Sequence, residues 1–232
     1  MSPARQDVEA GAAETTIAVG GRTVSGLVVH ATSAVALCAI AHGAGNDMRH
    51  PFFQGIAQGL AGGGVSSLRF NFPYMEEGRR APDRPALLME TWRAALGEAA
   101  RQAKRRPLVA SGKSLGGRMA SLVAAEDGDA FAARALVFFG YPLHAPGKPD
   151  QARDQQLPSI TVPMLFLQGT ADPLARFDLM RALTERLGSR ATLRPVEGGD
   201  HSFRVRGAKR PDDEIGRDLG ATAADWIAQA VG

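Results

Sequence analysis

The chain has 232 residues, 44% of them hydrophobic, a formal net charge of +3 and a single cysteine. That length is enough to bury a full core without cross-links, and one cysteine excludes an internal disulfide. The charge is too small to point to nucleic acid, and no apolar run is long enough to cross a bilayer or to serve as a signal h-region, so a soluble, cytoplasmic protein is the default expectation.

Residues 1–13 are rich in alanine and glycine and read as a loose segment, leaving 14–232 as one domain. Thr15–Val19 and Thr23–His30 read as strands joined at Gly20-Gly21, a hairpin signal. Val35–Ala41 is a continuous apolar run ending in His42-Gly43-Ala44-Gly45, the pattern of a strand buried on both faces. Cys38 lies inside it and reads as a small core residue. Pro51 opens a helix with Phe52, Ile56 and Leu60 on one face, closed at Gly62-Gly63-Gly64.

Val65–Phe70 is the next strand, and Pro73–Pro85 a charged loop. Leu88, Trp92, Leu96 and Ala99 mark a long helix whose basic end, Lys104-Arg105-Arg106, suits the helix dipole. Leu108–Ser111 is a short strand and Leu115–Ala125 a helix. Strands at Ala135–Phe139 and Met164–Gln168 follow, then a helix carrying Leu174, Phe177, Met180, Leu183 and Leu187. Ala191–Val196 is a last strand, placed at an edge by Pro195, and Ile215, Leu219, Ala223, Trp226 and Ile227 give a final amphipathic helix. This alternation predicts an α/β fold of about seven to eight mostly parallel strands with helices on both faces. The polar, Pro-containing connection from Tyr141 to Thr161 leaves room for little or no cap.

Gly112-Lys113-Ser114-Leu115-Gly116 falls between a short strand and a helix, the context of a nucleophile elbow. Side chains two residues either side of the serine would collide in so tight a turn, hence glycine at both places. A phosphate-binding loop ending in Gly-Lys-Ser would need glycine at position 107, where the chain has Pro107. A serine hydroxyl needs a base and an acid that orients it. Two histidines follow Ser114, His144 and His201, and His201 is favoured because Gly199-Asp200-His201-Ser202 directly follows the last strand. The acid expected after the preceding strand is Asp172, which also fits the N-cap of the next helix with Pro173 at N1. Asp200 is the rival acid and reads better as a loop organiser. Backbone N–H groups for a developing oxyanion would come from Leu115 and, by position, from Ala44. Gly43, Phe72, Tyr74, Met75 and Lys113 are candidate substrate-binding residues; for Phe72, Tyr74 and Met75, packing beneath the loop competes with lining a site. Arg79, Arg80 and Arg84, with Lys113, Arg118 and Arg204, suggest a positive rim favouring an anionic acyl substrate, against the plainer reading of a solvated basic face. No metal or cofactor is expected.

Four segments carry a family resemblance: Ala41 to Gly45, Arg69 to Glu76, Gly112 to Ser121, and Gly199 to Phe203. They resemble a small branch of the α/β-hydrolase superfamily that is similar to dienelactone hydrolase in size and closer still to the α/β-hydrolase-like domain of a testis-expressed protein and of a histone-acetyltransferase complex subunit. The resemblance implies a single domain with no large cap and a serine, aspartate and histidine triad at Ser114, Asp172 and His201, and it supplies no substrate; the site residues themselves are read as those of a serine hydrolase that cleaves a carboxylic ester or related acyl bond. The alternatives are a non-catalytic interaction module, the use to which some relatives put the fold, and an acyltransferase or peptidase on the same fold. Serine at position 114, where dienelactone hydrolases use cysteine, and Lys113 before it depart from that type and make dienelactone itself an unsafe guess.

Overall fold

The structure is a computed structural model, and it describes residues 11–232. The first ten residues of the expected loose segment lie outside the described residues. The strands are β1 (Ala12–Val19), β2 (Arg22–Val29), β3 (Ala36–Ala41), β4 (Val65–Phe70), β5 (Leu108–Lys113), β6 (Ala135–Phe139), β7 (Met164–Gly169) and β8 (Ala191–Val196). The helices are α1 (Pro51–Gly62), α2 (Pro73–Glu76), α3 (Pro85–Ala103), α4 (Leu115–Asp127), α5 (Phe177–Leu187) and α6 (Asp212–Val231). All strands join one eight-stranded sheet in the order β1-β2-β4-β3-β5-β6-β7-β8. β2 is antiparallel to both β1 and β4, and every other pairing is parallel.

Strands β3 to β7 are buried along their whole length, which is why they read as unbroken apolar runs. β8 is an edge strand and only half-buried, so Pro195, paired with Gln168, has no missing donor on a further neighbour. β1 begins at Ala12, earlier than expected, because Ala12 and Ala13 pair with Val29 and Val28. Ladder formation with a hydrophobic partner overrides the weak strand preference of alanine. One core lies between the sheet and α3, α4 and α5, around Trp92, Phe138 and Phe166; a second lies between the sheet and α1 and α6, around Phe53, Ile56 and Ile227. Cys38 is buried there with its thiol pushed up to about 12 by burial, the setting of an inert core residue.

The chain runs from β3 through α1 to β4 on one side of β3, then through α3 to β5 on the other. The winding therefore reverses at β3, and a crevice opens at the C-terminal ends of β3 and β5. Ala41 pairs with Gly112, so the loops that follow these two strands leave the sheet side by side.

Helices α1 and α6 approach backbone to backbone. A Cβ on Gly59 would lie 2.1 Å from the Arg217 carbonyl oxygen, and one on Gly216 would lie 2.1 Å from that of Phe52. The Gly216 contact falls on Phe52 in the first turn of α1, which starts at Pro51 with His50 as its cap. Gly59→Ala has backbone on both sides and cannot relax by moving a side chain, so it is expected to destabilise by about 1–3 kcal/mol or more. Gly97→Ala, at an exposed helical position with nothing within 4 Å of the added carbon, is expected to be neutral or to stabilise by about 0.5–1 kcal/mol. Thermal and urea unfolding of the two variants checks the contrast.

Candidate active site

β5 ends at Lys113, and Ser114 turns the chain into α4 with φ 50° and ψ −114°. A non-glycine residue with positive φ is strained. The turn holds because the elements on both sides are fixed: the Ser114 N–H donates to the Phe139 carbonyl at 3.3 Å, and the Arg118 N–H donates to the Ser114 carbonyl at 2.9 Å. A Cβ on Gly112 would lie 2.4 Å from the Gly117 nitrogen, and one on Gly116 would lie 2.6 Å from the carbonyl oxygens of Ala41 and His42. Glycine is required at both positions by close backbone approach. The Trp92 indole N–H donates to the Gly116 carbonyl at 2.9 Å and fixes the first turn of α4 from below.

The Ser114 hydroxyl oxygen is 2.9 Å from Nε2 of His201, and Nδ1 of His201 is 2.7 Å from Oδ2 of Asp172. Since a carboxylate oxygen accepts, Nδ1 carries the proton and Nε2 is left to accept from the serine hydroxyl. The Asp172 side chain is fully buried, and that of His201 keeps 22% of its exposure. Gln168 Nε2 donates to the same Oδ2 at 2.6 Å, the Leu174 N–H donates to Oδ1 at 2.8 Å, and Gln168 Oε1 accepts from the Tyr141 N–H at 2.8 Å. The carboxylate is thus held by three donors on three segments.

Asp172 does not cap a helix. α5 starts at Phe177, with Arg176 in the capping position, and Asp172 instead closes a turn through Leu174. The expected N-cap is thus corrected: an aspartate before a proline suits a turn as well as a helix start, and here the turn ends before the helix begins. His144, the other histidine, has Nδ1 at 2.9 Å from the Ala145 carbonyl and Nε2 accepting from the Arg176 N–H at 3.0 Å, so both its nitrogens serve the backbone. Asp200 organises the loop: its Oδ1 accepts from the N–H groups of Ser202 at 2.8 Å and Arg204 at 3.0 Å. The next strained residue, Phe203 with φ 63°, stacks on Phe52 at 5.9 Å between ring centroids.

His42 was not singled out from the sequence, yet it shapes the loop after β3. Its Nδ1 is 2.8 Å from the Gly43 carbonyl, and its Nε2 accepts from the Phe72 N–H at 3.0 Å. The Tyr74 hydroxyl reaches the same Gly43 carbonyl at 3.5 Å. With that carbonyl turned toward His42, the N–H of Ala44 points to the opposite side of the shared trans peptide plane. Among the described residues, neither the Ala44 N–H nor the Leu115 N–H has a protein acceptor. Gly43 itself lies against the elbow, where an added Cβ would be 3.5 Å from the Ser114 Cβ.

The sequence of a family described as alpha/beta hydrolase domain matches residues 34–230. The chain belongs to this α/β-hydrolase family. Solved structures of the fold agree over nearly the whole chain. A dienelactone hydrolase from Anabaena variabilis has 21% identity and a TM-score of 0.74 over 96% of this chain and 100% of its own. The esterase domain of a Rhodothermus marinus protein has 17% identity and a TM-score of 0.72 over 95% and 99%. An α/β serine hydrolase without lid from Xanthomonas campestris has 18% identity and a TM-score of 0.71 over 94% and 96%.

Some of the expected substrate-binding residues of this α/β hydrolase are corrected by the structure. Phe72 and Tyr74 are fully buried and line no open site; their rings stand 5.0 and 5.7 Å from His42 and support the loop from beneath. Met75 is half-buried against the same core. Arg79 is not a free cation of a rim, because Glu77 at 2.7 Å and Asp83 at 2.5 Å compensate it. Lys113 is buried, with its ammonium 5.7 Å from the Phe203 ring centroid. Among the described residues no helix is long and apolar enough to cross a membrane.

Burial holds the His42 pKa below its ordinary value of 6.5. The unfolded chain takes up this proton first, so the contribution of His42 to stability is complete above pH ~6.5 and is lost as the pH falls from there toward the folded value. His42→Phe keeps a ring but leaves the Phe72 N–H without its acceptor and removes one of the donors to the Gly43 carbonyl, and is expected to cost about 1–3 kcal/mol at neutral pH. Urea unfolding across this range is expected to show a smaller loss of stability on acidification in the variant than in the natural protein.

Proposed function

We propose that the protein is a serine hydrolase that cleaves a carboxylic ester or related acyl bond through an acyl-enzyme. The observation that carries this reading is the unbroken hydrogen-bond chain from Ser114 through His201 to Asp172, with separations of 2.9 and 2.7 Å. Ser114 Oγ attacks the acyl carbonyl as His201 Nε2 takes its proton. The tetrahedral oxygen is received by the N–H groups of Ala44 and Leu115, the latter at the start of α4, where backbone donors have no intrahelical partner. His201 then returns the proton to the leaving oxygen, the C–O bond breaks, and the acyl group remains on Ser114. Water repeats the sequence, giving up its proton to His201, and frees the carboxylic acid. Asp172 holds the imidazole in the tautomer that accepts at Nε2 and stabilises the imidazolium formed in each half.

A fluorophosphonate probe is expected to label the natural protein at Ser114 and to leave Ser114→Ala unlabelled. Absence of labelling in the natural protein would favour a non-catalytic use of the fold. In Asp172→Asn the amide can donate toward Nδ1 and favour the wrong tautomer, so kcat for a short-chain ester is expected to fall by about 10³–10⁴-fold. A loss below tenfold would argue against the role given to Asp172.

A further inference from the structure

A cavity of about 210 Å³ opens beside the hydrogen-bonded chain, between the start of α1 and the loop after β8. Asn46, His50, Lys113, Ser202, Arg204 and Asp212 line it above the ring of Phe52. Lys113 immediately precedes Ser114, and Ser202 immediately follows His201.

Lys113 stands out among these residues. It is 6% exposed, and among the described residues its ammonium makes no hydrogen bond and no ion pair. Its close company is the Phe203 ring and the bare backbone of Gly140, where an added Cβ would come within 3.2 Å of Nζ. An ammonium taken from water without an acceptor is costly, and a methionine would fill the same space without that cost. Packing therefore does not account for the charge. The cavity's one carboxylate is already engaged: Asp212 receives Arg204 at 2.8 and 2.9 Å, with His50 Nε2 at 3.8 Å. With Arg204 paired to Asp212, Lys113 is the one cationic side chain lining the cavity that has no hydrogen-bonding or ion-pair partner among the described residues. The amide of Asn46 and the hydroxyl of Ser202 add uncharged donors.

We propose that this cavity is a binding site for an oxyanion, a carboxylate or phosphate group, that the substrate carries on its leaving-group side, with Lys113 as the counter-charge. The side follows from His201, which must reach the leaving oxygen; the cavity wall continues directly from that residue through Ser202 to Arg204. The inference rests on the hydrolase reading and names its substrate class. Desolvation lowers the Lys113 pKa to about 8, against the pull of Asp172 and Asp200. The charge that receives the anion is therefore present at neutral pH and is lost above it.

The test compares kcat/KM for the acetate esters of phenol and of 3- and 4-hydroxybenzoate, which differ by one carboxylate on the leaving alcohol. The natural protein is expected to favour a carboxylate-bearing ester at least tenfold. Lys113→Met is expected to bring the ratio close to one, whatever its absolute rates. Lys113→Arg, which does not lose its charge, is expected to keep the preference above pH ~8, where the natural protein loses it. If Lys113→Met does not fold, the arginine variant and the pH series decide the matter alone. Equal rates on all three esters in the natural protein, or an unchanged ratio in Lys113→Met, would overturn the proposal. If no ester is cleaved and Ser114 resists the fluorophosphonate, the hydrolase reading fails instead. Calorimetric titration with inorganic phosphate then tests the cavity itself: binding to the natural protein and not to Lys113→Met upholds an anion site, and no binding to either removes it. Phosphate binding without any preference among cleaved esters would overturn the assignment to substrate.

Discussion

His201 stands between a hydroxyl and a carboxylate that are 58 residues apart in the chain, and everything near the crevice serves to hold it there. Ser114 follows β5, Asp172 follows β7 and His201 follows β8, all at the same edge of a parallel sheet. Parallel strands emerge with their C-terminal ends together, so loops far apart in sequence become neighbours. The separations of 2.9 and 2.7 Å are thus a consequence of strand order and register before they are a property of any side chain.

Register alone does not aim a side chain. Polar groups taken into the interior must find partners, and here the partners do the aiming. Gln168 spans from the Tyr141 N–H to Asp172, so the same amide ties the end of β6 to the carboxylate. Asp200 knots the histidine loop, and His42 turns the Gly43 carbonyl inward, which directs the next N–H outward. Two strained residues, Ser114 and Phe203, sit at the ends of this framework. Strain of that kind persists only where surrounding contacts over-determine the backbone, as the phenylalanine stack on Phe52 and the hydrogen bonds about the elbow do.

Much of this was legible in the sequence because it is written locally. Unbroken apolar runs identify doubly buried strands, and glycines at 112 and 116 report a turn in which the backbone meets itself. His201 and Asp172 stand directly after strands, where a loop at the sheet edge is the natural inference. What escaped is non-local. The pattern Phe72, Tyr74, Met75 shows apolar character but not direction, and two of the three side chains turn under the loop. Arg79 is the local exception: it looks like a free charge, yet Glu77 and Asp83, two and four residues away, pair with it once the loop folds back on itself. The contact of Gly59 with α6 depends on a partner more than 150 residues away, and nothing near Gly59 announces it. His42 and Gln168 left weaker traces: a histidine closing an apolar strand, and a glutamine inside one. A polar residue at a position that must be buried implies a partner, although the sequence does not say which.

The most direct measurement is intact-protein mass spectrometry of a rapidly quenched reaction with an activated acetate ester. The account expects a transient gain of one acetyl group, carried by the peptide that contains Ser114, that decays as the ester is consumed. Ester turnover with no acyl group on Ser114, or with the acyl group on another residue, would contradict it.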